Sequence, residues 1–132
     1  MTGVKCNSQL KISLYCKQFS ELLKELIALY PEDNSLVLLQ TASNSVIYMN
    51  PRTFVMMVIG YLKPYNQQIL DKDENFFLNK SPEDFKKSQF ISEQIRKVQS
   101  IWSEPETTEQ TKESLWKYFI FMVKLGKTIN TD

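Results

Sequence analysis

The sequence predicts an all-α fold, arranged as a single compact domain of five to six helices. Apolar residues recur at intervals of three and four positions through most of the chain, which is the spacing of a buried helix face. The 132 residues are enough for one domain with a core of its own. Glycine and proline are scarce, at 3 and 5 residues, so flexibility is expected only at the ends, 1–8 and 128–132.

The first two predicted helices cover residues 8–30 and 33–49. Ser8 is the candidate N-cap of the first, and Pro31 ends it. The second begins at Asp33 or Asn34. Its runs LVLLQ and SVIYM are rich in β-branched residues, so a strand is the alternative to the favoured helix. The first helix has these apolar positions at helical spacing: Leu10, Leu14, Phe19, Leu22, Leu23, Leu26, Ile27 and Tyr30.

The third predicted helix is an apolar run that follows Asn50. Asn50 is its N-cap, Pro51 occupies the first turn, and nine uncharged residues run from Phe54 to Leu62. This run is too short to span a bilayer, which needs about 20 residues. Because apolar residues lie on every side of it, the helix is expected to be buried on most faces at the centre of the domain.

Pro64 is expected to kink or end that helix one turn before a short segment, YNQQIL. Farther along, Ser81 followed by Pro82 has the pattern of a helix start. The segment ISEQIRKVQSIW then repeats apolar positions at helical spacing from Ile91, which predicts another helix.

The last predicted helix is TKESLWKYFIFMVKL. Thr107 and Gln110 ahead of it have the spacing of a capping box, and Gly126 is a candidate C-cap. Its apolar face is formed by Leu115, Trp116, Phe119, Ile120, Met122 and Val123.

The composition argues against an enzyme, so no catalytic residue and no cofactor is predicted. The chain has no histidine, which removes the commonest general base, proton shuttle and zinc ligand. Three scattered glycines cannot form a phosphate-binding loop. Cys6 and Cys16 are expected to be free thiols in a reducing compartment, with Cys6 ahead of the first helix.

One segment comes close to a calcium-binding loop without completing it. Asp71, Asp73 and Asn75 match the first, third and fifth positions of such a loop. The sixth position is Phe76 instead of glycine, and the twelfth is Pro82 instead of glutamate. No metal site is therefore predicted.

The charge balance gives little support to nucleic-acid binding. Lysine and arginine total 16 against 15 acidic residues, for a net charge of +1.

The first ten residues lack the apolar core of a signal peptide. The protein is therefore expected to be neither secreted nor bound to a membrane.

The predicted contact surface lies in PYNQQILDKDENFF and consists of Tyr65, Ile69, Phe76 and Phe77. Tyr65 and Ile69 are four residues apart, so they share a helical face. If the chain is extended at Phe76 and Phe77, one ring points inward and the other points outward, toward a partner. With acidic residues around them, these side chains have the make-up of an interface hot spot.

Several short motifs together resemble a protein family. NPR opens the apolar helix, and PY, FFLNK, EQIRK and KESLWKYFIFMVKL follow in that order. This order resembles a family of small helical proteins encoded by nucleocytoplasmic large DNA viruses, the relatives of phycodnaviruses, mimiviruses and iridoviruses. The resemblance extends from Tyr15 to Lys127. It implies expression in an infected cell, and it supplies no catalytic residue.

The sequence therefore favours a non-enzymatic viral protein that acts through protein–protein contacts, as a minor virion or assembly component. Its partner is expected to be a viral or host protein or a second copy of the chain, in the cytoplasm of an infected cell or in the virion. An aromatic content of 12% suits this interpretation, since aromatic rings anchor interfaces. Two alternatives are a DNA-associated protein in viral replication, transcription or packaging, and a helical mimic of a host factor with a groove for an amphipathic helix.

Overall fold

The computed structural model describes residues 2–79, 96 and 99–129, and in the first of these ranges it describes side chains from residue 8 to 76. These residues contain no strand, so the all-α prediction is confirmed and the strand alternative within 33–49 is wrong. Residues 99–103 are also helical, whereas Ser81, Pro82 and Ile91 lie outside the described residues. The helices with described bounds are α1 (Thr2–Leu29), α2 (Asn34–Met49), α3 (Pro51–Leu62), a 3₁₀ turn (Lys63–Tyr65), α4 (Asn66–Leu70), α5 (Glu74–Asn79) and α6 (Glu109–Thr128).

Side-chain caps begin α2 and α3 at the predicted positions. The Oδ1 atom of Asp33 accepts a hydrogen bond from the backbone N–H of Ser35 at 3.0 Å. Likewise, Oδ1 of Asn50 accepts from the N–H of Thr53 at 3.1 Å. Pro51 fills the first position of α3, where a backbone N–H would have no partner within the helix. Each cap is expected to stabilise its helix by about 1 kcal/mol.

Pro64 separates two helices, as predicted. α3 ends at Leu62, the 3₁₀ turn Lys63–Tyr65 follows, and α4 begins at Asn66. Proline causes this break because it has no N–H to continue the hydrogen-bond ladder and its ring clashes with the preceding turn. The chain then leaves α4 through Lys72, whose φ of 53° is left-handed, a conformation more often given to glycine.

Two predictions about the ends of the last helix are wrong. Its N-cap is Thr108 instead of Thr107, because Oγ1 of Thr108 accepts from the N–H of Thr111 at 3.1 Å. Gly126 is not a C-cap, since α6 continues past it and buries it. A Cβ atom at this position would lie 3.2 Å from Cγ1 of Ile59, so glycine lets α6 approach α3 closely.

The first helix is longer than predicted, and two of the eight residues predicted on its core face are exposed. Because it begins at Thr2, Ser8 is not its N-cap and Cys6 lies within it. Leu10 and Leu14 were expected on the core face, but they are 67% and 40% exposed. The buried residues of α1 are Ile12, Tyr15, Cys16, Leu22, Leu23 and Leu26.

The core forms where α1, α3 and α6 meet, and α2 packs on α1 and α3. α1 and α6 run in opposite directions, because the hydroxyl of Tyr118 donates to Glu25 at 3.3 Å and Nζ of Lys11 donates to the carbonyl of Thr128 at 3.4 Å. Aromatic rings fill the interior at two places. Trp102 and Trp116 meet edge to face with centroids 5.1 Å apart, and Phe19 and Phe54 do so at 4.9 Å.

α3 is buried on one side, instead of on most faces as predicted. Phe54, Val55 and Val58 are buried, whereas Met57 and Tyr61 are exposed. The apolar pattern alone overestimated burial, because a domain of this size has too few neighbouring helices to surround one completely.

Candidate functional site

Three short elements bring together three of the four residues predicted as an interface. Tyr65 ends the 3₁₀ turn, Ile69 lies on α4 and Phe76 lies on α5. The rings of Tyr65 and Phe76 are half-buried, with centroids 6.3 Å apart, and Ile69 is buried. We call these three residues the corner. The side chain of Phe77 lies outside the described residues.

The argument used for the two phenylalanines is wrong in its premise. The chain at Phe76 and Phe77 is helical instead of extended, because α5 spans Glu74–Asn79. Consecutive side chains on a helix point about 100° apart, whereas those on a strand point in opposite directions. The helix therefore does not require one ring to face inward and the other outward, and the interface role of these residues stays a prediction.

Two ion pairs connect the segment between Ile69 and Phe76 of the corner to α6. Nζ of Lys72 lies 2.9 Å from Oε2 of Glu113, and Nζ of Lys112 lies 3.6 Å from Oε1 of Glu74. Glu74 is one of the acidic residues expected around the predicted contact surface. In the structure it pairs with Lys112 of α6, so this charge lies at a contact within the fold.

The aspartates of the incomplete calcium loop also have partners within the fold. Oδ1 of Asp73 accepts from the N–H of Phe76 at 3.0 Å, and Oδ1 of Asp71 accepts from Nε2 of Gln67 at 3.0 Å. In the part of the chain that the structure describes, no group of three or more histidine, cysteine or carboxylate side chains is placed to hold a metal ion.

A second surface, which the sequence interpretation missed, lies on the outside of α2. This helix has no charged residue, and three of its large apolar side chains are mostly exposed: Leu38 at 61%, Tyr48 at 90% and Met49 at 83%. Thr41 is exposed too, and its hydroxyl donates to the carbonyl of Val37 at 3.1 Å, so it needs no hydrogen bond from a partner. We call the following exposed residues the α2 face: Val37, Leu38, Thr41, Ala42, Ser45, Tyr48 and Met49.

The opposite side of α2 explains why these residues are exposed. Leu36 and Ser43 are buried against the core, and Leu39, Val46 and Ile47 are partly buried beside them. These inward positions already supply the contacts of α2 with α1 and α3, so the apolar residues of the α2 face are surplus to folding. A signal was present in the sequence, because no charged residue occurs from Asn34 to Pro51. It was overlooked because this segment was considered only for the choice between helix and strand.

The two cysteines do not form a reactive pair. Cys6 and Cys16 are ten positions apart on α1, which separates their Cα atoms by about 15 Å, well beyond the reach of a disulfide. Burial raises the pKa of the Cys16 thiol, so it stays protonated and poorly nucleophilic at neutral pH.

Comparison with known proteins adds no assignment to this geometry. No protein-family model matches the chain, and no curated protein or solved structure matches it either. Among the described residues, no helix has the length and apolar character needed to cross a membrane.

Proposed function

We propose that this protein is non-enzymatic and acts through protein–protein contacts made by the α2 face. The observation that carries the proposal is a charge-free helix with Leu38, Tyr48 and Met49 mostly exposed. Folded monomers seldom expose large apolar side chains together without a use for them. Tyrosine and methionine are also enriched at interfaces, where a tyrosine ring contributes about 150–250 Å² of contact area.

The pattern of side-chain sizes on the α2 face favours a second copy of the chain as its partner. Large residues stand at the two ends of the face, and the small residues Ala42 and Ser45 stand in the middle. If two copies of α2 cross in antiparallel fashion about a two-fold axis, Ala42 of each lies opposite Ser45 of the other, and Leu38 lies opposite Met49. The small residues then permit close approach of the axes while the large residues meet at both ends.

The absence of charge on α2 supports the same partner. A two-fold contact places each surface against its own copy, so a charged patch would meet like charge across the axis. The α2 face avoids this repulsion. A helix of 16 residues is about 24 Å long, which gives an interface at the low end of stable complexes. A dissociation constant in the micromolar range is therefore expected.

A role as a minor virion or assembly component in an infected cell is part of the proposal. It rests on the sequence resemblance to proteins of large DNA viruses, and a self-associating face suits a protein that builds larger assemblies. Mass spectrometry of purified virions tests the packaged form of this role. Recovery of the chain only from infected cytoplasm would instead place it in assembly or another intracellular step.

Sedimentation velocity over a concentration series, from about 1 µM to 1 mM, tests the contact directly. The parent chain should shift from monomer to dimer, and Leu38→Asp should abolish the shift. Leu10→Asp is the matched control, because Leu10 is similarly exposed, at 67% against 61% for Leu38, and lies on α1. A parent chain that stays monomeric throughout, or a control that dissociates as Leu38→Asp does, would overturn the proposed contact.

A charge-pair variant tests the antiparallel arrangement. In the proposed dimer, Leu38→Asp on one copy faces Met49→Lys on the other, twice per dimer. The double variant should therefore regain part of the association that the single variant loses. Failure of this rescue would reject the antiparallel register even if Leu38→Asp alone dissociates the dimer.

The DNA-associated alternative has one observation in its favour. The last 15 residues of α6 carry Lys117, Lys124 and Lys127 and no acidic residue. Binding to duplex DNA that weakens tenfold or more, as a rough measure, between low and moderate salt would support this alternative. Binding that is unchanged in Lys124→Gln and Lys127→Gln would remove α6 from it.

A further inference from the structure

A cavity of about 210 Å³ lies between α1, the end of α3 and the C-terminal half of α6. Its buried wall includes Tyr15, Met122 and Val123, and the exposed residues Lys63 and Lys127 also line it. The exposed lysines place its mouth at the surface, and none of its lining residues belongs to α2. The cavity is therefore separate from the α2 face.

Tyr15 is unusual among the residues that line this cavity, because its hydroxyl has no partner among the described residues. The side chain is fully buried, and within the described parts of the chain its oxygen has no hydrogen-bond partner. Leaving a buried hydroxyl unsatisfied destabilises a fold, so such groups commonly bind a ligand or water. Burial, with a smaller contribution from Cys16, raises the pKa of Tyr15, so the hydroxyl keeps its proton.

The charges around the cavity are of one sign. Lys63 and Lys127 line it, and Lys11 lies nearby because its Nζ atom donates to the carbonyl of Thr128. No acidic residue is among the lining residues. The groups that can contact an occupant are thus two cations, the side-chain amide of Asn66 and an apolar wall.

We propose that this cavity binds a small organic anion, with an apolar body against Ile59 and Met122 and a carboxylate paired with Lys63 and Lys127. The size fits such a ligand, since a cavity of about 150 Å³ can hold benzene. It is smaller than the sites of drug-sized ligands, which occupy about 300–1,000 Å³.

Gly126 lies in the wall of the cavity where α6 packs closely on α3. An added Cβ would lie 3.2 Å from Cγ1 of Ile59 and 3.6 Å from Cε2 of Tyr15. A methyl group at Gly126 would therefore displace the side chain of Ile59, which also lines the cavity.

Titration of the isotope-labelled protein with three probes, followed by NMR, tests the proposal. Benzoate should shift the resonances of Ile59 and Met122 in a saturable way. Benzylamine, which has the same ring and the opposite charge, should bind at least tenfold more weakly, a ratio that corresponds to about 1.4 kcal/mol. Phenyl phosphate separates a preference for carboxylate from a general preference for anions.

Four variants complete the test. Lys63→Gln and Lys127→Gln should each weaken benzoate binding about five- to tenfold, the effect expected for one charge-assisted contact. Lys124→Gln is the matched control, since Lys124 is an exposed lysine of α6 that does not line the cavity. Gly126→Ala should also weaken binding. Equal binding of benzoate and benzylamine, or no saturable shift at Ile59 and Met122, would overturn the proposal.

Discussion

The corner and the α2 face are both built from aromatic and aliphatic side chains near the surface, yet they differ in their charged neighbours. Around the corner, Lys72 and Glu74 reach across to α6 and pair with Glu113 and Lys112. The α2 face has no charged residue and no such connection to another helix. In this fold, the charges that pair across helices lie beside apolar residues that pack inward. The exposed apolar residues of the α2 face have no such charges on their own helix.

The largest loss of stability is expected for a substitution on the buried side of α3, and it gives a reference for the smaller effects at the corner and the α2 face. Val58→Asp should unfold the domain, because an unpaired charge at this buried position costs several kcal/mol against a total stability of about 5–15 kcal/mol. Met57→Asp, one residue along and exposed, should change the melting temperature little. Thermal denaturation followed by circular dichroism measures both. A soluble Val58→Asp variant that melts like the parent would show that α3 faces outward.

A pair of substitutions compares the corner and the α2 face directly. Phe76→Ala removes a half-buried ring that contacts Tyr65, and about 1–3 kcal/mol of stability should be lost, somewhat less than for a fully buried phenylalanine. Tyr48→Ala removes a ring that is 90% exposed, so stability should change by less than about 0.5 kcal/mol while dimerisation weakens. Chemical denaturation at low protein concentration measures the first effect, and sedimentation measures the second. Equal stability losses would erase the distinction between the two regions.

Local chemistry explains which parts of the fold were predictable from the sequence. Asp33, Asn50 and Pro51 act through contacts within one helical turn, and Pro64 acts through its own missing N–H, so each position was correctly assigned. The exposure of Leu10 could not be predicted in this way, because it depends on where α6 lies along α1.

The same limit applies to the candidate sites. Glycine is the residue type favoured at helix C-caps, so the sequence alone suggested that role for Gly126. Only the approach of Ile59 and Tyr15 shows that it is an interior contact. The cavity likewise brings together Tyr15, Lys63 and Lys127, which are far apart in sequence. No local sequence pattern predicts such a cavity. The α2 face was different, since its charge-free run was visible in the sequence but was used only to choose between helix and strand.

Tyr15→Phe should stabilise the free protein by about 1 kcal/mol, because it removes a buried hydroxyl that has no partner. The variant should also respond differently to alkaline pH. The folded state raises the pKa of Tyr15, so this group's contribution to stability is complete below about pH 10, its ordinary pKa, and is lost as the pH rises above that value. Tyr15→Phe should therefore lose less stability above pH 10 than the parent, as measured by urea denaturation at several pH values. An identical alkaline decline in the two proteins would contradict the burial of an unpaired hydroxyl.

The smallest expected effect concerns the ion pair that connects the corner to α6. Lys72 and Glu113 lie 2.9 Å apart, but both side chains are about half exposed, at 43% and 52%, so water and salt weaken their attraction. Their coupling energy should be about 0.2–1 kcal/mol, and it should fall further in 1 M salt. A double-mutant cycle with Lys72→Gln and Glu113→Gln, measured by urea denaturation, isolates this term from the other effects of each substitution. A coupling energy near zero at low salt would mean that the corner is held by its apolar contacts alone. The charge difference between the corner and the α2 face would then no longer explain why the corner packs against the fold.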